Sequence, residues 1–375
     1  MTAEIIKQAL DRVAIQTALN MEYFEDTFPS ASTLQNQYQK VKNEDWVEGF
    51  WTGILWMMFE YQHQPVYREM AQRHVISFID RMDRNIVLDH HDMGFLYSLS
   101  CVASYRLTGD EAAKNVALRA ADKLIARWHE NPGFIQAWGA KNNPQEHRFI
   151  IDSLLNLPLL YWANEETGIS EYRDIADRHY QICLTYLIRD NGSSYHTYYV
   201  DPITHIPSHG LTRQGFSDDS SWARGQAWSI YGIALGYKHY PLTETMSQFM
   251  AVTDYFLEKL PENQVAYWDL IFNDGSDQPR DSSAAAIAVC GMLEMLPHIT
   301  DSDYKKKIES AVDAIMFSLI KNYSNKKPAK GHALLNEGVY SWHDNFGIEE
   351  GNIWGDYFYV EALMRLNNPS WKPYW

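Results

Sequence analysis

Residues 88–94 read Leu-Asp-His-His-Asp-Met-Gly, placing two aspartates and two histidines directly ahead of an apolar run. Sixty residues on, Asp152 stands ahead of a second run, Ser-Leu-Leu-Asn-Leu-Pro-Leu-Leu-Tyr-Trp. Three chemistries suit these types. A pair of carboxylates performs acid/base work when its surroundings drive the two pKa values apart. A carboxylate beside a histidine can ligate a metal. A single aspartate at a helix start can simply cap it, accepting backbone N–H bonds at the positive dipole end. The metal reading is the weakest, because adjacent histidines on an extended segment point to opposite sides and no helical His-x-x-x-His pattern is present. No metal or cofactor is expected, and on the same alternation His90 and Asp89 are assigned a structural role.

Composition narrows the partners. Lysine and arginine total 32 against 48 acidic residues, a formal charge of −16, which repels nucleic acid and anionic membranes. The opening stretch MTAEIIKQALDRVAIQTALN carries charges through its apolar positions and reads as neither a signal peptide nor an anchor. No segment approaches the ~20 apolar residues of a membrane span. A soluble cytoplasmic protein, monomeric or weakly self-associating, is expected. Cys101, Cys183 and Cys290 lie far apart in apolar runs and read as free buried thiols. The chain is rich in aromatics, with 13 Trp, 24 Tyr and 15 Phe; such rings fill cores and also stack on sugar faces.

The elements that must position these residues form two alternating sets. Helices with one wet face are predicted at 65–82, 111–130, 170–188, 243–260 and 302–320, with the N-terminal segment as a sixth, from apolar spacing at i, i+3, i+4, i+7. Between them, 49–62, 94–109, 152–168, 224–240, 281–296 and 356–368 are apolar on nearly every side and rich in small residues, so each must be buried all round. Six exposed helices alternating with six buried ones, about 60 residues per pair, is a repeat architecture. The apolar inner set favours a closed all-α double ring, the (α/α)6 barrel, over an open solenoid. No linker interrupts residues 1–375, which reads as one domain. Each inner helix follows a polar, aromatic cluster: Trp46; Asp92; Trp138 with Asp152; Arg224 with Trp228; Arg280 with Asp281; Trp354 with Asp356. A closed ring gathers these at one end. Capping is at least an even reading for Asp281 and Asp356, but it does not explain the accompanying tryptophans.

These segments, LDHHDMGFLYSL, IQAWG, RFIIDSLLNLPLLYWA, SSYHTYY, WARGQAWSIYG, PRDSSAAAI and IWGDYFYVEAL, resemble the unsaturated glucuronyl hydrolases of glycoside hydrolase family 88, from about Trp46 to Glu361. The resemblance implies an (α/α)6 barrel and metal-free hydration of the C4=C5 double bond of a 4,5-unsaturated uronic acid. That sugar stands at the non-reducing end of oligosaccharides made by polysaccharide lyases. The hydrated product, a hemiketal, opens to a 4-deoxy-5-keto sugar. By resemblance, Asp152 is the general acid/base and Asp92 the second essential carboxylate, with His91 beside it. His196 and Gln214 are polar contacts, Arg224 is the cation of the pocket, and Trp46, Trp138 and Trp228 are stacking residues. Relatives that prefer sulfated substrates carry serines and a lysine before Gly-Asn-Ile-Trp-Gly-Asp; this chain keeps Ser341 but has Asp344 and Phe346 at the other positions. An acidic group beside a sulfate opposes binding, so unsulfated substrates are expected, and Arg213 is either an added anion contact or an ordinary loop arginine. The competing readings are an unsaturated rhamnogalacturonyl hydrolase of the same fold and a non-catalytic carbohydrate-binding repeat protein.

Overall fold

The computed structural model describes residues Met1–Trp375. The outer helices are Ala3–Phe24, Pro65–Asp83, Glu111–Ile125, Ser170–Tyr186, Thr243–Glu258 and Ser302–Ser318. Glu111–Ile125 shows how they form. Asp110 caps it by accepting from the Ala112 and Ala113 N–H groups at 3.0 and 3.2 Å, and Ala113, Val116, Ala117, Ala120, Ala121 and Leu124 are its buried stripe. The inner helices are Glu48–Gln62, 93–108, Pro158–Thr167, Ala223–Tyr237, Ser282–Met295 and Ile353–Asn367. Every residue from Ala223 to Gly236 is buried, as is every one from Ser282 to Met292. Each inner helix packs on the next, the third meeting the fourth through the turn Ile151–Leu155 that precedes it, and the sixth returns to pack on the first. That closes the ring around one continuous core of 108 buried apolar residues. At the far end of the ring Trp375 stacks on Phe358, ring centroids 6.0 Å apart, and donates from Nε1 to Glu361 at 2.8 Å. No helix is long and apolar enough to cross a membrane.

Four departures from the sequence reading matter for the site. The third outer helix stops at Ile125; Asn131-Pro132-Gly133, with Gly133 at φ 107°, folds the chain back so that Trp128–His129 pairs with Phe134–Ile135. The third inner helix begins only at Pro158 and is preceded by a 3₁₀ turn, Ile151–Leu155; proline has no N–H to continue an α-ladder back to residue 154. The second inner helix passes through a π-turn at Ser98–Val102, where Trp56 Nε1 donates to the Ser100 carbonyl at 3.1 Å. Finally, the connections at the helix starts contain short antiparallel strands: Arg148–Ile150, Thr197–Val200 and Pro207–Leu211 form one sheet, Gly338–Ser341 and Phe346–Glu350 a hairpin. They belong to loops 15 or more residues long and leave the helical double ring intact.

Close approach of the first two inner helices depends on Gly49. A Cβ there would lie 2.0 Å from the Phe95 carbonyl oxygen and 2.9 Å from Leu96 Cα, atoms of a backbone that cannot swing aside. Gly49→Ala is therefore expected to lower unfolding stability by about 3 kcal/mol, measured by urea denaturation; an unchanged midpoint would show that the two helices can separate freely.

Candidate active site

The starts of the inner helices surround a pocket of roughly 240 Å³ lined by Trp46, His91, Asp92, Trp138, Ile150, Asp152, His196, Arg213, Gln214 and Tyr340. Asp92 precedes the second inner helix but does not cap it with its side chain. Its carboxylate is flanked by two histidines instead: His90 Nδ1, which accepts from the Asp92 N–H at 3.2 Å, lies 3.1 Å from Oδ2, and His91 Nε2 lies 3.3 Å from Oδ1. The segment 88–92 is a turn, not an extended strand, so both rings reach the same carboxylate from different sides. The sequence reading sets His90 apart from Asp92, whereas the turn brings it against the same carboxylate. Asp89 faces away and pairs with Arg127.

Asp152 sits in the 3₁₀ turn, joined to the neighbouring strand by the Ile151 N–H bond to the His196 carbonyl, 3.1 Å. His91 Nε2 is 3.5 Å from Asp152 Oδ1, an oxygen that accepts no hydrogen bond. One donor atom from each of His91, Asp92 and Asp152 lies within 4.8 Å of the others. Such a cluster can share a proton or hold a cation. The electrostatics separate the two carboxylates. Burial and then the Asp92 charge push Asp152 well above the usual carboxylate range, against Arg224 and the backbone N–H groups of its turn. Burial also opposes ionisation of Asp92, but His91 and hydrogen bonds from His90 and Asn156 outweigh it and hold its pKa below the ordinary value. His91 itself is lowered to about 4 by burial and His196 to about 3, so both are neutral imidazoles near pH 7. A long helix aimed at Asp152 would have favoured its charged form; the five-residue turn weakens that influence.

The other residues picked from sequence divide into two groups. Trp46, Trp138, His196 and Gln214 line the pocket. Trp46 stacks on Trp354, centroids 5.3 Å apart, and donates from Nε1 to the Tyr340 hydroxyl at 3.0 Å. Arg224, Trp228 and Ser341 do not line it. Trp228 is 1% exposed and wedged against Phe95 and Phe358 at 5.5 and 5.4 Å, because it lies more than a turn inside its helix. It has no free face for a sugar. Arg224 lies beneath the pocket, bound to Asp281 Oδ2 at 3.0 Å, to the Val339 carbonyl and to the Tyr340 carbonyl at 2.8 Å. It also donates to Gln214 Oε1 at 2.7 Å, and since a guanidinium only donates, the Gln214 NH₂ is left to face the pocket. Ser341 is turned into its own hairpin, donating to Asp344 at 2.6 Å. Asp281 caps the fifth inner helix through the Ser283 N–H, whereas Asp356 instead accepts from the Leu334 and Leu335 N–H groups, both 2.9 Å.

Sequence reasoning missed Ile150 and Tyr340. Tyr340 adjoins Ser341 on a strand whose alternation was the available signal. The cation that faces the pocket is the exposed Arg213.

Comparison with known proteins supplies the remaining context. The sequence profile of Glycosyl Hydrolase Family 88 matches residues 20–359. An unsaturated chondroitin disaccharide hydrolase of Streptococcus pneumoniae is 50% identical over 376 residues, covering 100% of this chain and 95% of its own. The crystal structure of an unsaturated glucuronyl hydrolase from Streptococcus agalactiae superposes with TM-score 0.98 at 46% identity, covering 100% of this chain and 94% of that one. A variant of that hydrolase complexed with dGlcA-GalNAc6S superposes at TM-score 0.90 and 44% identity, with the same coverage.

A raised Asp152 pKa has a consequence for stability. Above roughly pH 4 the unfolded chain has lost this proton while the folded chain keeps it, so stability falls as pH rises through the folded-state pKa. Asp152→Asn abolishes that titration and is expected to be more stable than the parent at pH 8, by ~1 kcal/mol. The gap should close as pH is lowered toward the unfolded value. Urea unfolding at several pH values checks it; a pH-independent gap would mean that the Asp152 pKa is not raised.

Proposed function

The chain belongs to glycosyl hydrolase family 88, and from that premise we propose how its pocket works. It is a hydrolase that releases the 4,5-unsaturated uronic acid from the non-reducing end of lyase-generated oligosaccharides by hydrating C4=C5. The observation that carries the residue assignment is the split within one carboxylate pair: Asp152 is raised with a bare oxygen, and Asp92 is lowered between two imidazoles.

Asp152 delivers its proton to C4 of the enol ether. Positive charge then develops at C5 and the ring oxygen, where the ionised Asp92 stabilises it. Water adds to C5 and returns a proton to Asp152, which ends the cycle as it began. The hemiketal opens to the 5-keto sugar and the remaining saccharide leaves. Trp46 and Trp138 provide faces for the sugar rings. The Gln214 amide, His196 and Arg213 contact polar and anionic groups, and Arg224 acts by fixing Gln214. Every lining residue comes from this chain, and we place the activity in a single catalytic domain; we propose, separately, that the protein is monomeric or weakly associating and cytoplasmic. The His91, Asp92 and Asp152 cluster works here by sharing a proton.

The test follows the near-ultraviolet absorbance of an unsaturated chondroitin disaccharide. The expected result is a decay with a bell-shaped pH profile, limited on the acid side by Asp92 protonation and on the alkaline side by Asp152 deprotonation. Asp152→Asn should slow it by about 10²–10⁴-fold, and dialysis against a chelator should leave it unchanged. An inactive parent protein, or an Asp152→Asn variant at full rate, refutes the proposal; chelator sensitivity would turn the same cluster into a metal site.

We further propose a preference for unsulfated substrates. Asp344 is exposed on the hairpin beside the pocket and 3.8 Å from the Arg213 guanidinium, which it partly neutralises, while Ser341 is occupied by the same carboxylate. The expected kcat/KM for an unsulfated disaccharide exceeds that for its 6-sulfated counterpart by about tenfold, ~1.4 kcal/mol, and Asp344→Ser should narrow the ratio. Equal rates on both substrates would defeat this part alone.

A further inference from the structure

His90 was assigned no chemical role on sequence, and the reaction above does not use it. Its ring nonetheless bridges two fixed groups: Nε2 lies 3.0 Å from the Val87 carbonyl, while Nδ1 accepts from the Asp92 backbone N–H at 3.2 Å and lies 3.1 Å from Asp92 Oδ2. The Val87 carbonyl is itself held, because Arg81 Nη2 donates to it at 2.8 Å. Arg81 is buried at the end of the second outer helix and spends its remaining N–H groups on the carbonyls of Ile86, 3.0 Å, and Asp45, 2.7 Å, and on Asn43 and Glu48. It therefore ties the turn before Asp92 to the segment carrying Trp46.

Val87 adds an independent observation. It has φ 45° and is 56% exposed. A β-branched residue in the left-handed region is disfavoured, and an exposed side chain contributes no packing to offset that. Such strain persists only where the surroundings over-determine it; here two donors, Arg81 and His90, converge on its carbonyl.

We propose that His90 is a positioning residue of the active site, bridging the Val87 carbonyl to Asp92 so that the buried Arg81 fixes where the Asp92 carboxylate points. The inference rests on the acid/base reading of Asp92 and Asp152. Asp92 is faced by His90 and His91 from its own segment, by Asp152 and Asn156 from the third inner helix's entry, by Tyr340 from the 338–350 hairpin and by Arg127 from beyond Asp89. With Nε2–H on the Val87 carbonyl, the neutral ring holds Asp92 through its backbone N–H. The ring protonated on both nitrogens donates to the ionised carboxylate as well. Losing His90 removes both, so the carboxylate becomes easier to protonate.

The experiment measures kcat, KM and the pH profile of His90→Phe on an unsaturated chondroitin disaccharide. Expected are a kcat lower by about 10- to 100-fold, a KM within about twofold, and an acid limb displaced to higher pH, in a protein whose melting temperature stays near the parent's. His90→Asn keeps a donor at similar reach and should recover part of the rate; it carries the comparison alone if the phenylalanine variant does not fold. Asp89→Asn, one residue away and paired outward, should leave rate and profile near the parent's. A His90→Phe enzyme with parental kcat and acid limb, a loss confined to KM, or an equal loss in Asp89→Asn overturns the inference. An inactive parent protein would instead overturn the acid/base reading beneath it.

Discussion

Two carboxylates within 4.8 Å of each other in a partly dry pocket cannot both carry charge without a large electrostatic cost. Everything else near the pocket determines which one yields. Asp92 lies between two imidazole rings, at 3.1 and 3.3 Å from its two oxygens, whereas Asp152 accepts no hydrogen bond on Oδ1. The neutrality of His91 and His196 sharpens the division. A buried imidazolium beside Asp152 would draw it back toward ionisation, whereas neutral rings leave burial and the Asp92 charge in control. The raised pKa of Asp152 is thus a property of the arrangement as a whole, and no single contact produces it.

Holding the pair needs rigid loops on an acidic protein, and buried arginines supply that rigidity. Arg81 binds the carbonyls of residues 45, 86 and 87. Arg127 binds those of Gln136 and Gly139, flanking Trp138, at 2.8 and 2.9 Å. Arg224 binds those of Val339 and Tyr340 together with Gln214. Each lies at or near the end of an element and reaches the loops that carry site residues. A planar guanidinium with five donors suits this task, since it satisfies several carbonyls at once and remains charged when buried. Asp89, Glu48 and Asp281 supply the countercharges, while the exposed Arg213, 3.8 Å from Asp344, is the cation that lines the pocket.

Much of this was legible in the sequence. The alternation of amphipathic and wholly apolar helices follows from periodicity, and the closed ring follows because six apolar helices have nowhere else to bury themselves. Asp92 and Asp152 stood out because each precedes such a helix. Finer distinctions were not legible. Trp46 and Trp228 are both tryptophans beside polar clusters; one precedes its helix and borders the pocket, while the other lies five residues inside and is core. Pro158 was visible, but its effect, a 3₁₀ turn that carries Asp152, depends on how the strand Arg148–Ile150 delivers the chain. His90 was misplaced because alternation was assumed for a segment that turns. Arg224 was read as a free cation because its partners, residues 214, 281, 339 and 340, are far away in sequence.

Carboxylates this close would, on spacing alone, suit a retaining glycosidase in which one attacks the anomeric carbon. The crowding of both oxygens by imidazole rings argues against that role for Asp92. A nucleophile needs a lone pair free to approach carbon, whereas Oδ2 faces His90 and Oδ1 faces His91. A carboxylate so engaged keeps its charge and its position, which is what stabilising a neighbouring cation demands. Asp152, with its bare oxygen and raised pKa, suits the proposed role of giving a proton to a carbon atom. Of the two reactions, hydration of a double bond takes its nucleophile from water and asks the proposed pair only for a proton donor that can take a proton back and a charge to balance the cation.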